Sequence, residues 1–303
     1  MKNEDKKRAL VISGGGAKGA WGGGFLQYKV ESQGYDWDMY FGTSTGSLLI
    51  PLTSLQEMDR LKEAYTSADS DAIFSVNPFT KKGKINWFNA IIRTIKGKSS
   101  LGETGKLPKI IKAMFTESDF NLTKKIGKEL FPCATDYISK SEKYVCNMTT
   151  DYETYVSFTH ASTSVPVATD FVRLGAYCLL DGGVVTHVPI QKAINEGADE
   201  IDIIILRPEV PPQDSWKPSS WFDVLLRTTD IQENQISLDN VLIGQLEAKE
   251  KDVLLRFRYT PTVLTNNSLV FTKEEMIKWW NEGYEYAKLE NTSKKVLIRR
   301  TRP

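Results

Sequence analysis

The chain has 303 residues, 41% of them hydrophobic and 11% aromatic, which is enough for a substantial core in one large α/β domain or two small ones. Its 39 basic and 38 acidic residues leave a net charge of +1, so nothing global draws it to nucleic acid. It has no run of 18 apolar residues, and the charged start from Met1 to Arg8 has no apolar core, so neither a bilayer span nor a signal peptide is expected.

Ala9 to Ser13 is a short apolar run that reads as a buried strand. It ends in Gly14-Gly15-Gly16-Ala17-Lys18-Gly19, and a helix is predicted from Ala20 to about Ser32. Gly22, Gly23 and Gly24 in that helix each cost roughly 1 kcal/mol against alanine. Their accumulation implies very close packing on a neighbouring element. A second strand is predicted at Met39 to Phe41, followed by Gly42-Thr43-Ser44-Thr45-Gly46 and a helix from Ser47 through Leu61, with Pro51 in its first turn.

Residues 66 to 130 break this alternation and read as a helical, membrane-facing cap inserted in a single domain over 1–303. Between Phe79 and Lys112 stand nine basic residues and one acid, Glu103, a net +8. Trp87, Phe88, Ile91, Ile92 and Ile95 recur there at helical spacing, with Lys84, Arg93, Lys96 and Lys98 around them. Such a basic amphipathic helix suits a lipid surface. The plainer expectation, preferred on sequence alone, is a helix packed on the core with its basic face solvated.

Phe131 to Ile138 and Lys143 to Met148 read as strands joined by a polar turn, and Phe158 to Val165 as a helix stopped by Pro166. Val172 to Leu174 and Ala176 to Leu180 flank a glycine turn, and the second of these strands runs into Asp181-Gly182-Gly183. Pro189 opens a helix that Gly197 closes. Ile201 to Leu206 is continuously apolar, as in a parallel sheet covered on both faces. A proline-rich loop leads to a long helix from near Ser220, a last strand at Asp252 to Tyr259, and a terminal helix behind the capping box Thr272-x-x-Glu275. Trp279 and Trp280 in that helix read as core, and the basic tail from Lys294 to Pro303 as frayed. Strands alternating with helices argue for a three-layer αβα sandwich with a mostly parallel sheet.

A serine between two glycines at a strand-to-helix turn is lifted clear of the backbone and faces the positive end of a helix. Gly42 and Gly46 are required because side chains there would collide as strand and helix close. Ser44 is therefore a candidate nucleophile, needing a base to take its proton and fixed N–H donors for the oxyanion that forms. The Gly14–Gly19 loop offers unobstructed amides, and Asp181, at a loop edge, offers a carboxylate whose proton affinity burial would raise. Taken singly, the loop reads as a nucleotide site or a turn, Asp181-Gly182-Gly183 as a tight turn, and Lys18 as a solvated charge. All three in this order, each closing a strand, point instead to one site. No carboxylate or histidine cluster has ligand spacing, so neither a metal nor another cofactor is expected. Cys133, Cys146 and Cys178 are an odd number without metal spacing and read as reduced thiols of a cytosolic protein, with a leaderless secretion route left open.

In these motifs the chain resembles the patatin-like phospholipases, whose pattern is a G-G-G-x-[R/K]-G oxyanion loop, a G-x-S-x-G serine and a D-G-[G/A] aspartate in that order. Ala134-Thr135-Asp136 and Ala161-Ser162-x-Ser164-Val165-Pro166 are similar to that family too, so the likeness spans residues 8 to 206. It implies a lipid acyl hydrolase using a Ser44–Asp181 dyad, with an oxyanion hole drawn from Gly14, Gly15, Gly16, Lys18 and Gly19. A lipid ester is then the substrate, met at a membrane surface. Two departures stand out. Lys18 replaces the commoner arginine, and His187 stands where asparagine usually precedes the proline. Ser44, Asp181 and His187 run in the Ser…Asp…His order of a triad. His187 lies only six positions beyond Asp181, however, so it is read as structural, as is His160 within its helix. Two rival readings are a dinucleotide-binding protein using Gly14–Gly19 and a non-catalytic lipid-binding module. The first wants an acid closing the second strand, whereas here Asp36 and Asp38 precede it.

Overall fold

A computed structural model describes residues 6–80, 85–213, 215–218, 221–265 and 267–290. The strands are β1 (Arg8–Ile12), β2 (Met39–Thr43), β3 (Glu129–Asp136), β4 (Ser141–Tyr144), β5 (Val172–Leu174), β6 (Tyr177–Asp181), β7 (Glu200–Ile205) and β8 (Leu254–Tyr259). The helices of the first half are α1 (Gly19–Gln27), α2 (Thr45–Ser54), α3 (Met58–Ser67), α4 (Ser70–Ile73), α5 (Trp87–Ile95), α6 (Leu107–Met114) and α7 (Glu117–Lys125). Then come α8 (Tyr152–Ser162), α9 (Ile190–Asn195), α10 (Trp221–Lys251) and α11 (Lys273–Glu290). The expected tail from Lys294, Lys84 and the start near Ser220 lie outside the described residues.

One sheet runs in the order β5-β6-β3-β2-β1-β7-β8, with β4 hairpinned onto β3. The five strands from β3 to β8 in that order are parallel, and β4, β5 and β6 are antiparallel additions at the β3 side. Alternation along β1 separates two cores. Leu10 and Ile12 face α1, α2 and α11 through Trp21, Leu49 and Trp280, whereas Ala9 and Val11 face α9 and α10 through Ile190, Ala193 and Ala248. Helices thus cover both faces of the sheet, which is why β1 and β7 read as unbroken apolar runs.

The glycines of α1 do pack closely. A Cβ on Gly24 would lie 1.8 Å from the Trp280 carbonyl oxygen, and one on Gly23 2.2 Å from the Trp280 ring. Gly283 returns the contact, 2.0 Å from the Trp21 carbonyl, so α1 and α11 touch backbone to backbone. Trp279 and Trp280 are buried as expected, and Trp280 Nε1 donates to Gln27 at 2.7 Å. The α11 box is half formed: Thr272 Oγ1 accepts from Glu275 N–H at 3.4 Å, but the Glu275 carboxylate takes the Thr272 hydroxyl.

Two elements are displaced from their expected bounds: the strand read at Lys143–Met148 is β4, Ser141–Tyr144, and the helix read at Phe158–Val165 is α8, Tyr152–Ser162. Two further expectations fail. The single helix over Ser47–Leu61 is two helices: α2 begins at Thr45, directly behind Ser44, and Gln56 at φ 60 ends it before α3. Pro51 therefore sits inside α2, not in its first turn. The other failure is α5, which is not packed by its apolar side. Phe88, Ile91 and Ile95 stand in solvent while Ala90 and Arg93 are buried. Arg93 overrides the apolar spacing because Glu103 and Asp170 both bind its guanidinium.

Candidate active site

Strand β2 ends at Thr43 and α2 begins at Thr45, so Ser44 alone makes the junction, at φ 54 and ψ −124. An L residue reaches that conformation only where its surroundings over-determine it. Here they do. A Cβ on Gly42 would be 2.4 Å from the Gly46 backbone, and one on Gly46 2.4 Å from the Ile12 carbonyl oxygen. Ser44 N–H donates to Ser162 Oγ at 3.0 Å, and the Ser44 carbonyl accepts from Ser47 N–H at 2.9 Å and from its hydroxyl at 2.6 Å. Thr45 is pinned next to it: its Oγ1 is 2.8 Å from the Tyr65 hydroxyl, which also lies 3.1 Å from the Thr45 carbonyl.

Asp181 reaches this serine by an unexpected route. Its strand, β6, runs antiparallel to β3, so its C-terminal end would ordinarily fall at the far edge of the sheet. Register resolves this. Thr43 pairs with Cys133 and Ala134 with Asp181, so Ser44 and Asp181 flank the same point of β3. The Asp181 carboxylate Oδ1 accepts Gly183 N–H at 2.8 Å. Burial pushes this carboxyl up to about 7, although the polar Ser44 side chain and the Gly183 amide pull the other way. The end of α8 braces both residues: Ser162 holds the Ser44 amide, and the Ser164 carbonyl accepts Asp181 N–H at 2.8 Å. Ser162 and Ser164 entered the sequence reading through family likeness, without a role.

The glycine loop lies against the same serine, and a Cβ on Gly14 would be 3.4 Å from Ser44 Cβ. Most of its amides are engaged. Gly14 N–H donates to the His187 carbonyl at 3.2 Å, Ala17 N–H to Ser268 at 2.8 Å, Lys18 N–H to Gly15 at 3.1 Å, and Gly19 N–H to Gly16. Gly14, Lys18 and Gly19 as oxyanion donors are thus corrected, because the amide hydrogen of each already has a carbonyl. Gly16 is at φ +54 and a Cβ there would be 2.2 Å from the Ser268 carbonyl oxygen, so only glycine fits. Lys18 is not a solvated charge: burial and the nearby Arg207 bring its ammonium down to about 8. Arg207, at the end of β7, donates to Asn234 at 3.0 Å and lies 3.8 Å from Glu233. Burial pushes the Glu233 carboxyl up. These α10 partners carried no sequence signal.

His187 is buried between the glycine loop and the aspartate turn. A Cβ on Gly14 would be 3.1 Å from its Nε2, and one on Gly183 3.5 Å from its Cδ2. Its backbone N–H donates to Asn240 at 2.9 Å, but Nδ1 has no hydrogen-bond partner among the described residues. Burial, Arg207 and Lys18 hold the ring neutral, far below its ordinary pKa. A triad histidine needs a carboxylate on that nitrogen. His160 Nε2 lies 3.0 Å from Thr104 Oγ1, and burial lowers it to about 4.

Ser44 and Gly16 open on a cleft of about 870 Å³, the open solvent in its mouth included. Leu48, Tyr65, Phe74, Ile111, Val165 and Phe271 are among its walls, so the space beside the serine is almost wholly apolar. Among the described residues no helix is long and apolar enough to cross a membrane.

A strained serine elbow, a glycine loop and a buried aspartate on one edge of a doubly covered α/β sheet define an esterase-like site. The chain belongs to the patatin-like phospholipase family, whose model matches residues 10–194. No curated protein matches it. Among solved structures it is similar to VipD from Legionella pneumophila at 14% identity, covering 94% of this chain with a TM-score of 0.43. The match covers 66% of the VipD chain, just under two thirds.

Proposed function

We propose that the protein is a serine acyl hydrolase of lipid esters, with Ser44 as nucleophile and Asp181 as its base. Family membership supports lipid hydrolysis in general. The observation that carries the finer reading is the strand register that brings Ser44 and a buried Asp181 to the same point of β3. A carboxyl near 7 is ionised in a useful fraction at neutral pH and basic enough to take the serine proton as Oγ attacks the ester carbonyl. The carbonyl π pair moves onto oxygen, and the amides of Gly15 and Gly16 are assigned to hold that oxyanion, the other loop amides being engaged. Collapse expels the alcohol with the proton from Asp181. Water, deprotonated by the same carboxylate, then attacks the acyl-serine, and collapse frees the fatty acid as Ser44 Oγ takes the proton back from Asp181. The apolar cavity at Ser44 suits the acyl chain.

The test is turnover of defined glycerophospholipids and galactolipids by purified protein, with released acids identified by mass spectrometry, alongside labelling by a fluorophosphonate probe. Wild type should release acid and be labelled, and Ser44→Ala should do neither. Failure of the intact protein to take the probe would overturn the assignment.

A further inference from the structure

Helix α5 is a well-made element whose apolar side nothing among the described residues covers. Asn86 Oδ1 accepts Asn89 N–H at 3.3 Å at its start, and at its end Lys98 N–H returns to the Arg93 carbonyl at 3.0 Å around Gly97 at φ +67. Yet Phe88 is 73% exposed, Ile91 56% and Ile95 80%, and Trp87 beside them is half exposed. Residues 88, 91 and 95 share one helical face.

That outward orientation is locked. Arg93, on the opposite side and buried, donates from Nε to the Ser100 carbonyl at 2.7 Å and from Nη2 to Ser100 Oγ at 2.8 Å. Its Nη2 also lies 3.0 Å from Asp170 and its Nη1 binds Glu103. Rolling α5 to bury Phe88 and Ile95 would strip a buried guanidinium of two carboxylates. Glu103, the segment's only acid, is engaged in this clamp, and exposed Lys96 and Lys98 follow Ile95 at the end of the apolar face. The clamp also joins the face to the cavity, because Glu103 precedes wall residue Thr104 and Asp170 follows wall residues Ala168 and Thr169. Val167, 47% exposed at a φ of 67 disfavoured for a β-branched residue, accepts Leu101 N–H at 2.7 Å in the same junction.

We infer that α5 is the element by which this protein docks on an anionic lipid bilayer, Phe88, Ile91 and Ile95 entering the acyl boundary and the flanking lysines meeting lipid phosphates. Apolar side chains on one face of a short helix with cations at its end are what such a surface selects, and the segment's +8 in a chain of +1 supplies the complementarity. The inference deepens the hydrolase reading by naming the face through which lipid approaches the cavity, and its test needs no turnover.

Full-length protein carrying Ser44→Ala is floated with vesicles of phosphatidylcholine alone or mixed with phosphatidylserine. Binding should require the anionic lipid and weaken as salt rises. Phe88→Asp/Ile95→Asp should lower the apparent affinity at least about tenfold, and Lys96→Glu/Lys98→Glu should remove most of the salt dependence. Val210→Asp, at an exposed apolar site outside the segment, should leave binding as it was. Urea midpoints matching the parent's show that each variant is folded. Vesicle binding by Phe88→Asp/Ile95→Asp equal to the parent's overturns the inference. So does a parent that ignores anionic vesicles, or self-association in solution that the same pair of substitutions abolishes. Loss of ester turnover in wild type with vesicle binding intact would sink the hydrolase reading alone.

Discussion

Replacing Asp181 by asparagine should damage activity and improve stability, with the second effect appearing only as the pH rises. The asparagine Oδ1 can still accept Gly183 N–H, and its amide can donate to Ser44 Oγ, so the turn is preserved. The Asp181 carboxyl is held at about 7 in the fold and titrates at about 3.9 in an unfolded chain. A raised folded-state pKa means the native protein binds that proton more tightly. Stability from this group is therefore greatest at low pH, declines by about 1.4 kcal/mol per pH unit between roughly 4 and 7, and is level above that. Taken from about pH 4.5 to pH 8, the difference in unfolding free energy between Asp181→Asn and the parent should swing by about 3 kcal/mol toward the variant. Urea unfolding of both proteins at four pH values measures the swing directly. Turnover of a soluble ester should fall by about 10²–10⁴-fold in the variant, while the parent's rate rises with pH to a plateau above about 7. A free-energy difference that stays flat from about pH 5 to pH 8 would refute the claim that a desolvated carboxylate is stored beside Ser44.

Other substitutions test neighbouring parts of the argument. His187→Ala should retain hydrolysis within about tenfold and leave the pH profile unmoved, since the ring is neutral and Nδ1 has no carboxylate; a loss as deep as that of Ser44→Ala would establish a triad instead. Gly24→Ala, which drives a methyl into the Trp280 carbonyl, should cost about 3 kcal/mol in chemical unfolding. Gly34→Ala, with open space but a φ of +64, should cost only about 1 kcal/mol, and equal losses would contradict backbone contact between α1 and α11. Ester turnover should survive dialysis against a chelator, because each proposed step is carried by a side chain or a backbone amide; its loss would call for a metal.

Much of this site was legible because its chemistry is written in local backbone requirements. Gly42, Gly46 and Gly16 are each fixed by a carbonyl or a turn that admits no Cβ, and such constraints leave their mark at fixed spacing around Ser44. The alternation of β1, α1, β2 and β7 was equally plain, since a strand covered on both faces must be apolar throughout. The depressed ammonium of Lys18 could not be read locally, because Arg207, whose charge adds to the effect of burial, lies 189 residues away in sequence. Gly14 was misassigned for a similar reason, its amide being taken by a carbonyl at His187.

By itself, then, the order of residues determined a covered parallel sheet and marked Ser44 and Asp181 as candidates, because strand periodicity and glycine contacts act over a few positions. Tertiary structure decided how those two meet. Asp181 arrives on an antiparallel strand and faces Ser44 only because β6 ends opposite Ala134, a register no local pattern encodes. It also decided which way α5 faces. Helical spacing defines an apolar side but not its direction, and here two carboxylates on separate loops turn it outward by holding Arg93 in.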